Sequence, residues 1–205
     1  MRRSEVNPSS PAATLRAARV ADARPFLELF RALDAESEFM MFEPGERTTT
    51  LAQMRARLAA ASGQGGRERL IVAERGNPVA RRAVGPAPIA RFVPGRRARG
   101  GTVLDGFVGA FGAPGQRNAH ALNLVLGVRR RASGQGLGRR LLAAIEADAR
   151  ERGIHRLGLG VLASNERAIA LYERAGFVRE GLRRDAVRLR SGYVDELIMA
   201  KLLDG

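Results

Sequence analysis

Residues 128–142 read V-R-R-R-A-S-G-Q-G-L-G-R-R-L-L, so that an apolar alternating run passes through clustered glycines into a helix-period pattern. That order predicts a strand, a backbone-exposing turn and a helix N-terminus. Glycine lacks the Cβ that keeps a ligand off the main chain, and a helix start adds unpaired N–H groups and the positive end of the helix dipole. The chemistry on offer is anion binding, with a phosphate as the natural ligand. Gly134, Gly136 and Gly138 are spaced G-x-G-x-G, which is not the G-x-G-x-x-G of dinucleotide sites, and no lysine follows as in a phosphate-binding P-loop. By itself the turn is equally consistent with an ordinary tight connection.

Other reactive residues are few. The chain has no cysteine and two histidines, His120 and His155, which excludes disulfides, thiolate metal sites and a cysteine nucleophile and leaves little for a histidine metal centre. No metal is expected. Tyr172 taken alone reads as a half-buried core tyrosine with its hydroxyl hydrogen-bonded. Asn165 suits a helix N-cap. The net charge of +14 and the single lysine, Lys201, among many arginines fit either a coding bias toward G and C or attraction to a polyanion. The low aromatic content argues against a base-stacking surface, so a nucleic-acid partner is not expected.

Placing these residues requires a set of elements. Residues 1–12 read as a disordered tail and 13–205 as a single domain, with a basic, proline- and glycine-broken loop at about 76–101. A weak strand at 14–20 precedes a helix capped by Asp22, with Pro25 in its first turn and Phe26, Leu29, Phe30 and Leu33 on its apolar face; this helix ends before Phe39. A second helix starts near Thr50 and stops at Ser62-Gly63. Strands are predicted at 68–74, 104–111 and 120–128, the last with Leu122, Leu124, Leu126 and Val128 on one face. The helix after the glycines presents Leu137, Leu141, Leu142, Ile145 and Ala149 as one stripe. A strand at 157–162, a helix at 165–175 and strands near 177–181 and 193–202 complete a mixed α/β sheet. No apolar run is long enough to cross a bilayer and no secretion signal opens the chain, so a cytoplasmic location without membrane contact is expected.

The glycine turn together with N-E-R-A-I-A-L-Y-E-R-A-G-F at residues 165–177 resembles the GNAT superfamily of acyl-CoA-dependent N-acetyltransferases. Its hallmark is a strand, a Q/R-x-x-G-x-G/A loop, a helix, a strand and an N-x-x-A-x-x-L-Y-x-x-x-G-F helix. The resemblance covers residues 102–202 well. It implies a mixed, mostly antiparallel twisted sheet of about six or seven strands flanked by about four helices and splayed at the central strands. His120-Ala121 and the ending G-Y-V-D-E-L-I-M-A look like bacterial members that acetylate amino acids or other small amines. Acetylation of a protein N-terminus or lysine is the alternative, and a catalytically weak binding protein a third. A homodimer is common among relatives.

The resemblance also implies roles. Acetyl-CoA would place its pyrophosphate on the amides of Ser133, Gly134, Gln135, Gly136, Leu137, Gly138 and Arg139, with Gly136 and Gly138 permitting the approach and Arg131 and Arg139 adding charge. Ser133 stands where the family usually has Gln or Arg. The pantetheine arm would lie along Leu126 to Val128, the Val128 N–H would serve the developing oxyanion, Asn165 and Ala168 would touch the arm, and Tyr172 would be the acid for the leaving thiolate. Many relatives carry a carboxylate base on the strand before the loop; here Asn123 stands at that position and cannot accept the proton. Water, Glu36, Glu38, Glu43, Asp195 or His120 are the remaining candidates, and Phe39 and Asn123 join Glu36 and Asp195 as expected acceptor contacts.

Overall fold

The computed structural model describes residues 13–61, 67–75 and 101–203. The expected N-terminal tail, the stop at Ser62-Gly63 and nearly all of the basic loop lie outside these residues. Seven strands form one sheet in the order β1-β2-β3-β4-β5-β7-β6, with β1 Thr14–Ala17, β2 Glu68–Glu74, β3 Leu104–Phe111, β4 Ala121–Val128, β5 Arg156–Leu162, β6 Val178–Leu189 and β7 Gly192–Leu202. All neighbours are antiparallel except β4 and β5. Four helices, α1 Ala23–Glu36, α2 Leu51–Ala61, α3 Leu137–Glu151 and α4 Glu166–Arg174, cover the two faces.

Alternation along the strands divides the apolar residues between two cores. Ile71, Val108, Ala110, Leu122, Leu124, Leu157 and Leu159 pack toward α3 and α4, meeting the α3 stripe Leu137, Leu141, Leu142, Ile145 and Ala149. Leu70, Val72 and Phe107 point the other way, toward α1 and α2. Phe26, Phe30 and Phe107 meet edge to face there, with ring centroids 5.0 to 5.3 Å apart. Thr50 and Gln53 exchange hydrogen bonds at the start of α2: Gln53 N donates to Thr50 Oγ1 (3.2 Å) and Thr50 N to Gln53 Oε1 (2.8 Å). This reciprocal cap explains why the helix begins where the periodicity does.

Two local expectations need correction, and a third holds. Asp22 sits at the N-cap of α1 but makes no side-chain cap bond; its carboxylate instead accepts from Arg19 N (2.7 Å) and pairs with Arg16, closing a short 3-10 turn ahead of the helix. The predicted strand at 177–181 runs on to Leu189, bent by a register shift between Arg183 and Val187 where Asp185 has φ 51°. On β4 the predicted apolar face holds along its length, with Leu122 and Leu124 buried in the α3–α4 core and Leu126 and Val128 half-buried against it, while Gly127 is buried on the opposite face. A Cβ on Gly127 would lie 2.6 Å from Leu33 Cδ1, so α1 lies close against the strand.

Three ion-pair anchors fix the segments around the end of β4. Asp105, 6% exposed, receives Arg75 through two bonds of 3.0 Å and Arg131 through one of 2.7 Å. Glu36 Oε1 receives Arg129 Nε (2.9 Å) and Nη2 (2.7 Å), and its Oε2 accepts from Arg130 N (2.8 Å). Arg130 Nη2 also donates to Glu36 O (2.7 Å). The arginine triplet therefore staples the turn after β4 to α1 and β3. Farther out, Asp34 holds Arg47 in a two-bond fork of 2.7 and 2.8 Å, with the guanidinium stacked on Phe30 and Phe42 at 4.3 Å. That fork pins the segment between α1 and α2.

Two outcomes follow. Asp34→Ala leaves the Arg47 charge, only 10% exposed, without its partner, and is expected to cost about 3 kcal/mol; the midpoint of urea unfolding measures it, and the double variant with Arg47→Met should recover much of the loss. Burial works against the charge of Asp22 and Asp105, yet hydrogen bonds from Arg16, and from Arg75 and Arg131, hold both carboxyls below their ordinary value. A depressed folded value gives stability that is complete above the unfolded aspartate value of about 4 and is lost as pH falls through the folded one. The urea midpoint should therefore drop between pH 5 and about 3, and Asp105→Asn should start lower but lose less over that interval.

Candidate active site

β4 and β5 pair only over Ala121↔Arg156, Leu122↔Leu157 and Asn123↔Gly158; beyond that they diverge. Which backbone groups this leaves open follows from alternation. Arg129 N donates to Asp105 O (2.9 Å), toward β3, and His120 O accepts from Arg156 N (3.0 Å), toward β5. Even-numbered residues of β4 thus direct N–H and C=O to the β5 side, so Leu124, Leu126 and Val128 present theirs to the gap. On β5, Ala163 N donates to Asp195 O (2.8 Å) on β7 and His155 O accepts from Leu203 N (2.7 Å). The even residues Gly160 and Leu162 accordingly face the gap from the other side. The cleft opens into a cavity of about 1230 Å³ whose walls include Leu126, Val128, Gly160, Leu162, Asn165 and Tyr172.

At one end of the cleft lies the glycine turn. Gly134 and Gly136 have φ of 78° and 74°, left-handed values that favour glycine. Gly136 is the N-cap of α3 with no side-chain cap, and Arg140 N is the donor that reaches Gly136 O (3.1 Å) to begin the helix ladder. The N–H groups of Leu137, Gly138 and Arg139 have no acceptor within the helix. A Cβ on Gly136 would meet nothing within 4 Å, whereas one on Gly138 would lie 2.9 Å from Leu171 Cδ2. Gly136 therefore serves the open approach, and Gly138 serves the packing of α3 on α4, a role that the ligand-based expectation missed. Ser133, Gly134, Gly136, Leu137, Gly138 and Arg139 all line the cavity. Gln135 does not; its Nε2 donates to Arg131 O (3.0 Å) and ties the turn to itself.

The charge expected from Arg131 is committed to Asp105. Arg139 lines the cavity as anticipated, and so do Arg167 and Arg174 of α4, which sequence reasoning did not single out. A Cβ on Gly134 would lie 3.9 Å from Arg167 Nη2, so this guanidinium stands beside the glycine turn. None of the three has a carboxylate partner among the described residues. Uncapped amides with adjacent unpaired cations form a fitting cradle for a diphosphate.

α4 supplies the opposite wall. Asn165 caps it, its Oδ1 accepting from Ala168 N (3.2 Å), and both residues line the cavity. Tyr172 is 8% exposed, its ring edge-on to Phe177 at 5.9 Å, and burial pushes its hydroxyl up to about 12. It is a phenol with its proton on at neutral pH, placed on the cavity wall that faces β4.

The expected acceptor residues are divided. Glu36 and Phe39 line the cavity, but both oxygens of Glu36 are engaged by Arg129 and Arg130. The Arg129 hydrogen bond, against some desolvation, keeps its carboxyl below the usual range, so Glu36 is a clamp and a poor proton acceptor. Asn123, Glu38, Glu43, Asp195 and His120 are not on the cavity wall. Asn123 sits where β4 still pairs with β5; Asp195 Oδ1 accepts from Asp185 N (2.9 Å) at the bend of β6; Glu43 pairs with Arg190; His120, before β4 begins, lies with its ring tilted 6.4 Å from that of His155. The carboxylate that does enter is Glu196, one residue along from the predicted Asp195. Strand alternation is the signal that separates the two, because a shift of one residue reverses the face.

Among the described residues no helix is long and apolar enough to cross a membrane, and no cluster of metal-binding side chains occurs. Residues 90–177 match the sequence model of the Acetyltransferase (GNAT) family. Over 66 residues the chain is 46% identical to the [ribosomal protein bS18]-alanine N-acetyltransferase of Escherichia coli K12, a stretch amounting to 32% of this chain and 45% of that protein. The chain thus spans less than half the length of that curated relative. Among solved structures, a GNAT-family acetyltransferase from Streptococcus pneumoniae superposes with a TM-score of 0.75 at 23% identity, covering 93% of this chain and 99% of that one. A phosphinothricin acetyltransferase from Sinorhizobium meliloti in complex with AcCoA gives 0.72 at 20% identity over 94% and 89%. These likenesses show the fold, and residues 90–177 are similar in sequence to the GNAT family.

Proposed function

We propose that the protein transfers the acetyl group of acetyl-CoA to a primary amine, and that the acceptor is the α-amine of a peptide or protein N-terminus. The observation that carries the transfer reading is the convergence, on one cavity, of an uncapped glycine turn, the unpaired β4 edge and the buried phenol of Tyr172. The thioester supplies an activated acyl carbon. The amides of the α3 start hold the diphosphate, and the Leu126 and Val128 backbone groups offer the arm a strand-like partner. Val128 N–H, fixed by β3 on the far side of the strand, is aimed at the charge that develops on the carbonyl oxygen; one such donor is worth about 3 kcal/mol in comparable sites. Tyr172 donates a hydrogen bond to the departing sulfur. Burial raises the hydroxyl's value, so the phenol keeps its proton at neutral pH and stabilises the departing thiolate through that hydrogen bond.

The peptide reading rests on the open side of the cleft. Val125, Met41 and Phe42 are exposed at 48%, 73% and 38%, which leaves room for a chain to extend outward, and the name of the Escherichia coli relative points in the same direction. A small free amine, such as an amino acid, is the second reading. It is favoured by Arg57, which lines the aromatic end of the cavity over Phe111 at 5.0 Å with no carboxylate partner among the described residues, and which suits an acceptor carboxylate.

The first measurement is thermal melting with and without acetyl-CoA, where ligand at 100 times its Kd adds about 2.7 kcal/mol. Absence of a shift rejects the donor. Thiol release with alanine-initiated peptides beside free amino acids then decides between the acceptors. Gly136→Asp should fold, since aspartate tolerates φ > 0 better than most residues, yet lose the melting shift because its carboxylate occupies the anion cradle. Tyr172→Phe should keep the shift and lower kcat on the order of tenfold or more, within the usual range for a lost proton donor; an unchanged kcat removes Tyr172 from the mechanism.

A further inference from the structure

An amine attacks a thioester only as the free base, so the ammonium form that prevails at neutral pH must first lose a proton. Among the described residues, the carboxylates on the cavity walls are Glu36 and Glu196. Glu36 is consumed by three hydrogen bonds from Arg129 and Arg130. Glu196 differs in each respect. Its Oε2 accepts from Arg183 Nη1 (2.8 Å), an arginine 68% exposed, while Glu196 itself is 18% exposed. Its other oxygen lies over Gly160 on β5.

The contact with Gly160 shows that this place is reserved. Leu162 pairs with Glu196, and Gly160 with Ile198, so Gly160 and Glu196 are diagonal neighbours on one sheet face. A Cβ on Gly160 would lie 2.7 Å from Glu196 Cδ. Only glycine on β5 lets the carboxylate lie down across the strand toward the gap that Val128 faces from the other side. The charged or titratable groups around Glu196 are Arg183 from β6, none from the adjoining stretch of β5 (residues 158–162), and, on the walls of the same cavity, Glu36, Arg47, Arg57, Arg130, Arg139, Arg167, Tyr172 and Arg174.

Resting on the acetyl-transfer reading above, we infer that Glu196, seated over Gly160 on the β5–β7 floor of the cleft, is the proton acceptor for the incoming ammonium. Glu196 Oε1 takes one proton from nitrogen, whose lone pair then forms the C–N bond as the C–S bond breaks. Nitrogen sheds a second proton, matching the one that the released thiolate takes up, and Glu196 returns its own to water. The net change is one proton released per acetyl transferred.

The test compares Glu196→Gln, Glu196→Asp and Arg183→Met with the wild type, using thiol release from acetyl-CoA with an alanine-initiated peptide and with free amino acids from pH 6 to 9. Glu196→Gln should keep the acetyl-CoA melting shift and lose about 100-fold in kcat at pH 7. Its rate should climb tenfold per pH unit until the α-amine, with an ordinary value near 8, is mostly free, whereas the wild-type rate stays nearly flat. Glu196→Asp should keep the flat profile at reduced kcat. Arg183→Met should change KM or kcat by less than tenfold with no change of slope. Equal losses in Glu196→Gln and Arg183→Met without a change of slope would reduce Glu196 to a hairpin ion pair and overturn the inference. Wild-type protein that binds acetyl-CoA but releases no thiol with any acceptor would overturn the transfer reading as well.

Discussion

The structure depends on one unsatisfied pairing. β4 and β5 are parallel neighbours for three residue pairs and then separate, so a sheet otherwise continuous is open along its middle. Each strand is held from the outside, β4 by antiparallel β3 and β5 by antiparallel β7. Neither can swing in to close the gap without breaking that ladder. Backbone groups that would cost free energy if buried unpaired are therefore kept facing a solvent-accessible slot. There they suit an extended ligand arm and an oxyanion, and being fixed in advance they need no reorganisation when charge develops.

The ends of the opened strands are secured by different means. After β4 the chain spends three consecutive arginines on anchors: Arg129 and Arg130 to Glu36 at the C-terminus of α1, Arg131 to Asp105 on β3. The glycine turn that follows is consequently rigid where it leaves the strand and bare where it meets the ligand. After β5 the Asn165 cap starts α4 at once, and contact between Gly138 and Leu171 locks α4 to α3. The glycine turn and Tyr172 are thus carried on two helices that approach closely where residue 138 has no side chain.

Much of this was legible in sequence because it is periodic or local. The α3 stripe, the Asn165 cap and the glycine turn each rest on neighbours within a few positions, and the motif pair carries the resemblance. What was not legible depends on partners far along the chain. Arg131 reads as a phosphate ligand until Asp105 is seen beside it; Asp22 reads as a helix cap until Arg16 claims it; the need for glycine at 138 reads as room for the ligand until Leu171 is seen where a Cβ would go. The choice between Asp195 and Glu196 needed the register of β7 against β5, which no local pattern supplies when both residues are acidic. The length of β6 was underestimated because its exposed, arginine-rich residues carry no alternation to read.

The near absence of lysine acquires a meaning in this setting. Guanidinium groups stay protonated and do not act as nucleophiles toward a thioester, while the one lysine, Lys201, holds its ammonium against Glu146 Oε2 (2.8 Å) and the carbonyl of Ala175 (2.8 Å) at the end of α4. On the acetyl-transfer reading, a surface cationic enough to draw in a polyanionic donor thereby offers that donor no loose side-chain amine to acylate. Composition and one tethered ammonium would then suppress self-modification while keeping the attraction.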